Sequence, residues 1–182
     1  LHASPYPFAM IVALAASVLS PAAELHLGPA ASAYLSAGLS VLPALRRGDE
    51  KRVALPRWSA FQRRLPTASE LSTWMDLEPD AICVVCGAIS GNLEMIDFDC
   101  AGEAFDAWRT MVEEIEPGLV DRLFVESTPS GGRHVVYRCE APVCGNTKLA
   151  QRRVDADGEA PIVIGGKTLT PRRGADGKWC VV

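Results

Sequence analysis

Asp97 and Asp99, within the run Leu93-Glu94-Met95-Ile96-Asp97-Phe98-Asp99-Cys100, have the residue types and spacing best suited to chemistry. Side chains on a strand alternate faces, so both aspartates are expected to point one way while Ile96 and Phe98 enter an apolar layer on the other. Carboxylates about 7 Å apart along a strand repel each other and both need solvation, a poor structural choice. The same pair seats a hard divalent cation well, because such ions take oxygen ligands. Farther along, Ser130-Gly131-Gly132-Arg133-His134 adds a second element. Its glycines let backbone N–H groups approach phosphate oxygens, and its histidine can donate to the same oxygens. Carboxylates holding one or two Mg2+ or Mn2+ ions beside such a cradle form the set that phosphoryl transfer needs. Asp-x-Asp alone is shared by nucleases, glycosyltransferases and phosphatases. The plain structural alternatives are a solvated strand end for the aspartates and a satisfied core or surface position for His134.

The elements that must position these residues follow from pattern. The spacing predicts a helix over Pro29 to Gly38, then a short strand over Leu39 to Leu45. Pro43 calls for an edge position or an early end of that strand. Arg46 to Ala60 reads as a polar, basic loop. Thr67-Ala68-Ser69-Glu70 is a capping box that starts a helix from about Ala68 to Met75, with Leu71, Trp74 and Met75 inward. Apolar runs over Ile82 to Cys86 and Leu93 to Cys100, joined by Gly-Ala-Ile-Ser-Gly-Asn, suggest a hairpin. Ala104, Phe105, Trp108, Met111, Val112 and Ile115 recur at three and four across a helix from Gly102 to Glu116, which Pro117-Gly118 stops. A second hairpin joins Leu123 to Ser127 and Arg133 to Arg138 around Thr128-Pro129-Ser130-Gly131-Gly132, with His134 at its mouth. Pro161 to Ile164 and Trp179 to Val182 are weaker strand candidates. The order of elements implies an α+β domain, helices packed on one side of a mostly antiparallel sheet.

At 182 residues, 48% apolar and 22% charged, the chain is expected to form one globular domain. Its net charge of −4 hides segregation. Arg46, Arg47, Lys51, Arg52, Arg57, Arg63 and Arg64 cluster early, and Lys148, Arg152, Arg153, Lys167, Arg172, Arg173 and Lys178 cluster late. Between Ala68 and Ser130 there are fourteen acids against Arg109 and Arg122. Basic segments can hold a polyanion while acids chelate metal, so the net charge does not exclude nucleic acid. The six cysteines lack disulfide-scaffold density. Cys83 and Cys86 have zinc or redox spacing but fall on opposite faces of a buried strand, and Cys139 and Cys144 lack two further ligands. A reducing cytoplasm fits best. Phe8 to Leu19 is an apolar run too short to span a bilayer and without a basic segment before it, so no membrane association is expected. Residues 1–28 read as a leader and 29–182 as the domain.

Gly87-Ala88-Ile89-Ser90-Gly91-Asn92-Leu93-Glu94-Met95-Ile96-Asp97-Phe98-Asp99, followed by Glu126-Ser127-Thr128-Pro129-Ser130-Gly131-Gly132-Arg133-His134-Val135-Val136-Tyr137-Arg138, resembles the bifunctional DNA primase/polymerase domain of the archaeo-eukaryotic primase superfamily. The resemblance runs from about Pro29 to the end and takes in the basic loop with Trp58 and the segment Gly145-Asn146-Thr147-Lys148-Leu149-Ala150. It implies an RRM-like catalytic fold that copies a single-stranded DNA template from nucleoside triphosphates, in the replication of a phage, plasmid or integrated element. It also implies that Asp97 and Asp99 bind Mg2+ or Mn2+. Gly132-Arg133-His134 matches the family's small-x-His motif, with His134 contacting the triphosphate and Ser130, Gly131, Gly132 and Arg133 lining the nucleotide site.

The sequence departs from the family at a third acid, expected on a late strand before an Arg-Gly-x-Gly-Gly turn. Thr170 or Pro171 stands there, and Asp155, Asp157, Glu159 and Asp176 are the nearby substitutes. The chain ends about where the family continues, which reads as a C-terminal truncation, with a replicative helicase expected on a separate or lost segment. Two alternatives stay open: a catalytically incomplete nucleotide- or nucleic-acid-binding relic of the same fold, and a metal-dependent nuclease.

Overall fold

The computed structural model describes residues 27–47, 50–128, 131–143, 145–164 and 167–182. The apolar run Phe8 to Leu19 and nearly all of the expected leader lie outside them. The chain divides into two compact units, one comprising Leu1–Met95 with Tyr137–Asn146 and the other Ile96–Val136 with Thr147–Val182.

The first unit contains helix α1 (Leu27–Ser36), strands β1 (Ser40–Arg47) and β2 (Glu50–Val53), helix α2 (Ala68–Met75) and strand β3 (Ala81–Val85). The sheet has the order β2-β1-β3, antiparallel throughout. Two expectations are corrected here. The segment after Arg46 is not all loop, because Glu50–Val53 pairs with Ala44–Arg47. Pro43 sits in the central strand rather than at an edge, opposite Ile82. The position tolerates proline because the β1–β2 ladder ends at the Ala44–Val53 pair. The missing N–H of Pro43 falls just beyond that end, while its carbonyl still accepts from Ala54 N–H at 2.8 Å.

Leu42, Ala44, Phe61, Ala81, Cys83 and Val85 form the core of this unit, with Trp58 and Trp74 packed against it. Helix α2 begins as the capping box requires: Thr67 Oγ1 accepts from Glu70 N–H at 3.1 Å, and Thr67 N–H donates to Glu70 Oε2 at 2.9 Å. Leu71 is buried and Trp74 meets Phe61 edge-on at 5.1 Å.

Strand β4 (Leu93–Phe98) does not form a hairpin with β3. A single bridge, Gly87 to Leu93, joins the linker after β3 to the start of β4, and the two strands belong to different sheets. The linker winds into a 3₁₀ turn, Ala88–Ser90, closed by Gly91 at φ 68° and Asn92 at φ 55°. Ser90 Oγ anchors that turn by donating to Val85 O and accepting from Ser40 N–H at 3.0 Å. A helical turn fixed from inside prevents the ladder from propagating.

The second unit takes in the end of β4, the one-turn segment α3 (Asp99–Gly102), helix α4 (Phe105–Ile115), and hairpin strands β5 (Phe124–Ser127) and β6 (Arg133–Arg138) as far as Val136. The later strands are β7 (Val154–Asp155), β8 (Ile162–Ile164), β9 (Lys167–Leu169), β10 (Arg172–Arg173) and β11 (Trp179–Val181). They form the sheets β4-β6-β5, β10-β11-β7 and β8-β9. The architecture is α+β as expected, but the described strands form several small sheets rather than one continuous sheet. Helix α4 is shorter than the predicted Gly102 to Glu116. Met111 and Ile115 are exposed, so the apolar residues of its half-buried face are Phe105, Trp108 and Val112, joined by Glu113. Among the described residues no helix is long and apolar enough to cross a membrane.

Candidate nucleotidyl-transfer site

Phe98 organises the two aspartates. It is buried at the end of β4, and its ring packs on Phe105 at 5.4 Å and Trp108 at 5.3 Å. Asp97 precedes it on the strand. Asp99 follows it off the strand, at the start of α3, which corrects the expectation of one strand running to Cys100. Cys100 (φ 56°, ψ 52°) and Ala101 (φ 57°, ψ 27°) are left-handed and turn the chain directly after Asp99. Left-handed backbone costs about 1–2 kcal/mol at a residue other than glycine, so the surrounding packing must impose it.

That packing comes from the glycine turn of the β5–β6 hairpin. A Cβ on Gly131 (φ 82°) would lie 3.6 Å from Ala101 Cβ, and one on Gly102 would lie 3.5 Å from Gly131 O. A Cβ on Gly132 would sit 2.6 Å from Phe98 O and 2.9 Å from Thr128 Oγ1, so only glycine fits without a shift. The turn closes through Gly131 N–H to Thr128 O at 2.9 Å and Thr128 N–H to Gly132 O at 3.0 Å. Arg133 folds back on it, donating to Gly132 O at 3.2 Å. Ser130 lies outside the described residues. The two turns expected to supply the carboxylates and the phosphate cradle therefore pack against each other.

His134 is buried in β6, and it lies between two carboxylates. The hairpin register places it opposite Glu126. Its Nδ1 is 2.7 Å from Glu126 Oε1, and its Nε2 is 3.6 Å from Asp97 Oδ1. A carboxylate only accepts, so Nδ1–H donates to Glu126, while 3.6 Å is an ion-pair separation rather than a hydrogen bond. The side chains of His134, Glu126 and Asp97 are 9%, 18% and 42% exposed, so the cluster opens to solvent on the Asp97 side. Glu126 is the residue that motif reading missed as part of the site. The signal was present in the hairpin, because pairing Ser127 with Arg133 across the turn puts Glu126 opposite His134.

Two of the substitutes for the third acid are taken up in ion pairs. Asp155 and Asp176 are both engaged by Arg153, at 2.7 and 3.0 Å. The Lys178 N–H and the Arg153 guanidinium hold the Asp176 carboxyl below the usual carboxylate range. Thr170 and Pro171 link β9 to β10. Among the described residues no group of three or more His, Cys, Asp or Glu is arranged to hold a metal ion. The donor chemistry of Asp97 and Asp99 nonetheless suits Mg2+ or Mn2+, since Mg2+ typically binds through one or two carboxylates and fills its shell with water and substrate phosphate. Cys83 and Cys86 take no part: burial pushes both thiols up to about 12.

A family model described as bifunctional DNA primase/polymerase, N-terminal, matches residues 31–180. No curated protein and no solved structure matches the chain. With the family's match spanning most of its length, the chain belongs to the bifunctional DNA primase/polymerase N-terminal family.

Proposed function

We propose that this domain, with the RRM-like core of primases, carries out metal-dependent, template-directed nucleotidyl transfer on single-stranded DNA from nucleoside triphosphates. The setting is replication of a phage, plasmid or integrated element in a reducing cytoplasm, with a replicative helicase as a partner. The observation that carries the proposal is the packing of the aspartate turn onto the glycine–histidine turn, with His134 Nε2 directed to Asp97.

Asp97 and Asp99 would hold Mg2+ or Mn2+. A cation bound there neutralises charge on the triphosphate and lowers the barrier to attack by a 3′-hydroxyl. The glycine turn lets the phosphates approach the backbone at Gly131 and Gly132. His134, with Nδ1–H committed to Glu126, turns Nε2 to the triphosphate, to which it donates as the imidazolium, both of whose nitrogens carry hydrogen.

A second reading, a binding relic without polymerisation, is favoured by Thr170 and Pro171 where the family carries an acid. A primer-synthesis assay with Mg2+ or Mn2+, labelled nucleotides and a single-stranded template decides between them. Elongation that falls on the order of 10³-fold in Asp97→Ala/Asp99→Ala supports the enzyme, several kcal/mol being what a lost metal seat removes. DNA binding without elongation supports the relic. Elongation that survives both substitutions overturns the site, and template shortening without nucleotides identifies a nuclease.

A further inference from the structure

We propose that Glu126 is a positioning residue that sets which nitrogen of His134 faces the nucleotide. The proposal rests on the nucleotidyl-transfer reading for its consequence in activity, but its geometry stands apart from that reading.

A neutral imidazole carries one hydrogen, and its ring can rotate about the Cβ–Cγ bond. Two features of the hairpin remove both freedoms. The register makes Glu126 the direct cross-strand partner of His134, and its Oε1 takes Nδ1–H at 2.7 Å. Val135, the next residue of β6, is fully buried, which leaves that stretch of the strand little room to shift. With Nδ1 held, Nε2 points to the opening where Asp97 lies 3.6 Å away. Removing the carboxylate leaves Nδ1–H without its acceptor in a buried position, and the ring then flips or takes the other tautomer to recover a partner. Glu126 is 18% exposed in its side chain, so solvent substitutes for it poorly. A residue of this kind acts through its neighbour, and outer partners of this type typically change affinity or activity by about 10–100-fold.

The test uses the full chain. Long-range ¹H–¹⁵N correlation spectra distinguish the two imidazole nitrogens, and the His134 signals are assigned by their loss in His134→Ala, which separates them from His2 and His26. The proposal expects Nδ1 to carry a hydrogen in the wild type and in Glu126→Gln, whose amide oxygen still accepts, and a changed pattern of hydrogen at the two nitrogens in Glu126→Ala. In the primer-extension assay, Glu126→Ala is expected to lose about 10–100-fold in kcat/KM for dATP, with Glu126→Gln recovering most of it. In a His134→Ala background the Glu126→Ala change is expected to have no further effect. An equal loss in that background, or unchanged His134 signals in Glu126→Ala, overturns the proposal. If Glu126→Ala does not fold, a Glu126→Gln chain that loses the Nδ1–H signal overturns it equally. If the wild type extends nothing, the nucleotidyl-transfer reading fails, and the spectra alone decide whether Glu126 orients His134.

Discussion

Strand β3 and the β5–β6 hairpin use burial for different ends. In β3 every residue from Ala81 to Val85 is buried, both faces are apolar, and even its thiol at Cys83 is held inert by desolvation. In the hairpin, Phe124 is 60% exposed and Val125 is 37% exposed, while the buried positions of β6 are His134 and Val135. The first arrangement gains free energy from area removed from water, with order ~25 cal/mol per Å². The second forgoes part of that gain to keep an imidazole between carboxylates, which a low-dielectric site makes directional. Stability is therefore expected to be concentrated in the β1–β3 sheet, and chemical precision in the hairpin.

Four measurements sharpen or break that contrast. Leu42→Ala, at a fully buried position of β1, is expected to cost about 2–5 kcal/mol in urea unfolding. A smaller loss than any hairpin substitution produces would reverse the contrast. Gly132→Ala forces its new methyl against Phe98 O and Thr128 Oγ1. It should cost about 1–3 kcal/mol and, out of proportion to that, disturb the His134 imidazole signals; undisturbed signals would separate the glycine turn from the site. Thr67→Ala removes the α2 cap and should cost about 1 kcal/mol without touching those signals.

The smallest effect is on pH dependence. Arg64 and the Thr67 N–H depress the Glu70 carboxyl from its usual 4.5 to about 2. A lowered folded-state value stabilises above the unfolded one, so this contribution is present above about pH 4.5 and fades as pH falls toward 2. Glu70→Gln should flatten that part of the acid-unfolding curve, and an unchanged slope would show that the pair contributes nothing in solution. Because the pair is exposed, added salt should shrink the effect further.

How much could be read beforehand depended on sequence distance. The α2 capping box was legible in full because Thr67 and Glu70 are three residues apart and satisfy each other's backbone. The β5–β6 hairpin was legible for the same reason, and with it the pairing that brings Glu126 to His134, though the sequence reading did not draw it out. The β3–β4 hairpin misled, because two apolar runs and a turn look alike whether or not a ladder forms; Ser90, reaching back to Ser40, decided the matter. Pro43 misled because proline signals an edge only where a ladder would need its N–H, and the extent of β2 was invisible in a basic segment.

The sequence by itself determined the α+β class, the α2 cap, the glycine–histidine hairpin and the family, all set by local hydrogen bonding, turn chemistry or residue pattern. Only the tertiary structure decided that Asp99 leaves the strand after Phe98, that the two turns nest, and that Arg153 takes up Asp155 and Asp176. These outcomes depend on which side chains meet across long stretches of chain, where packing and charge pairing outweigh local preference.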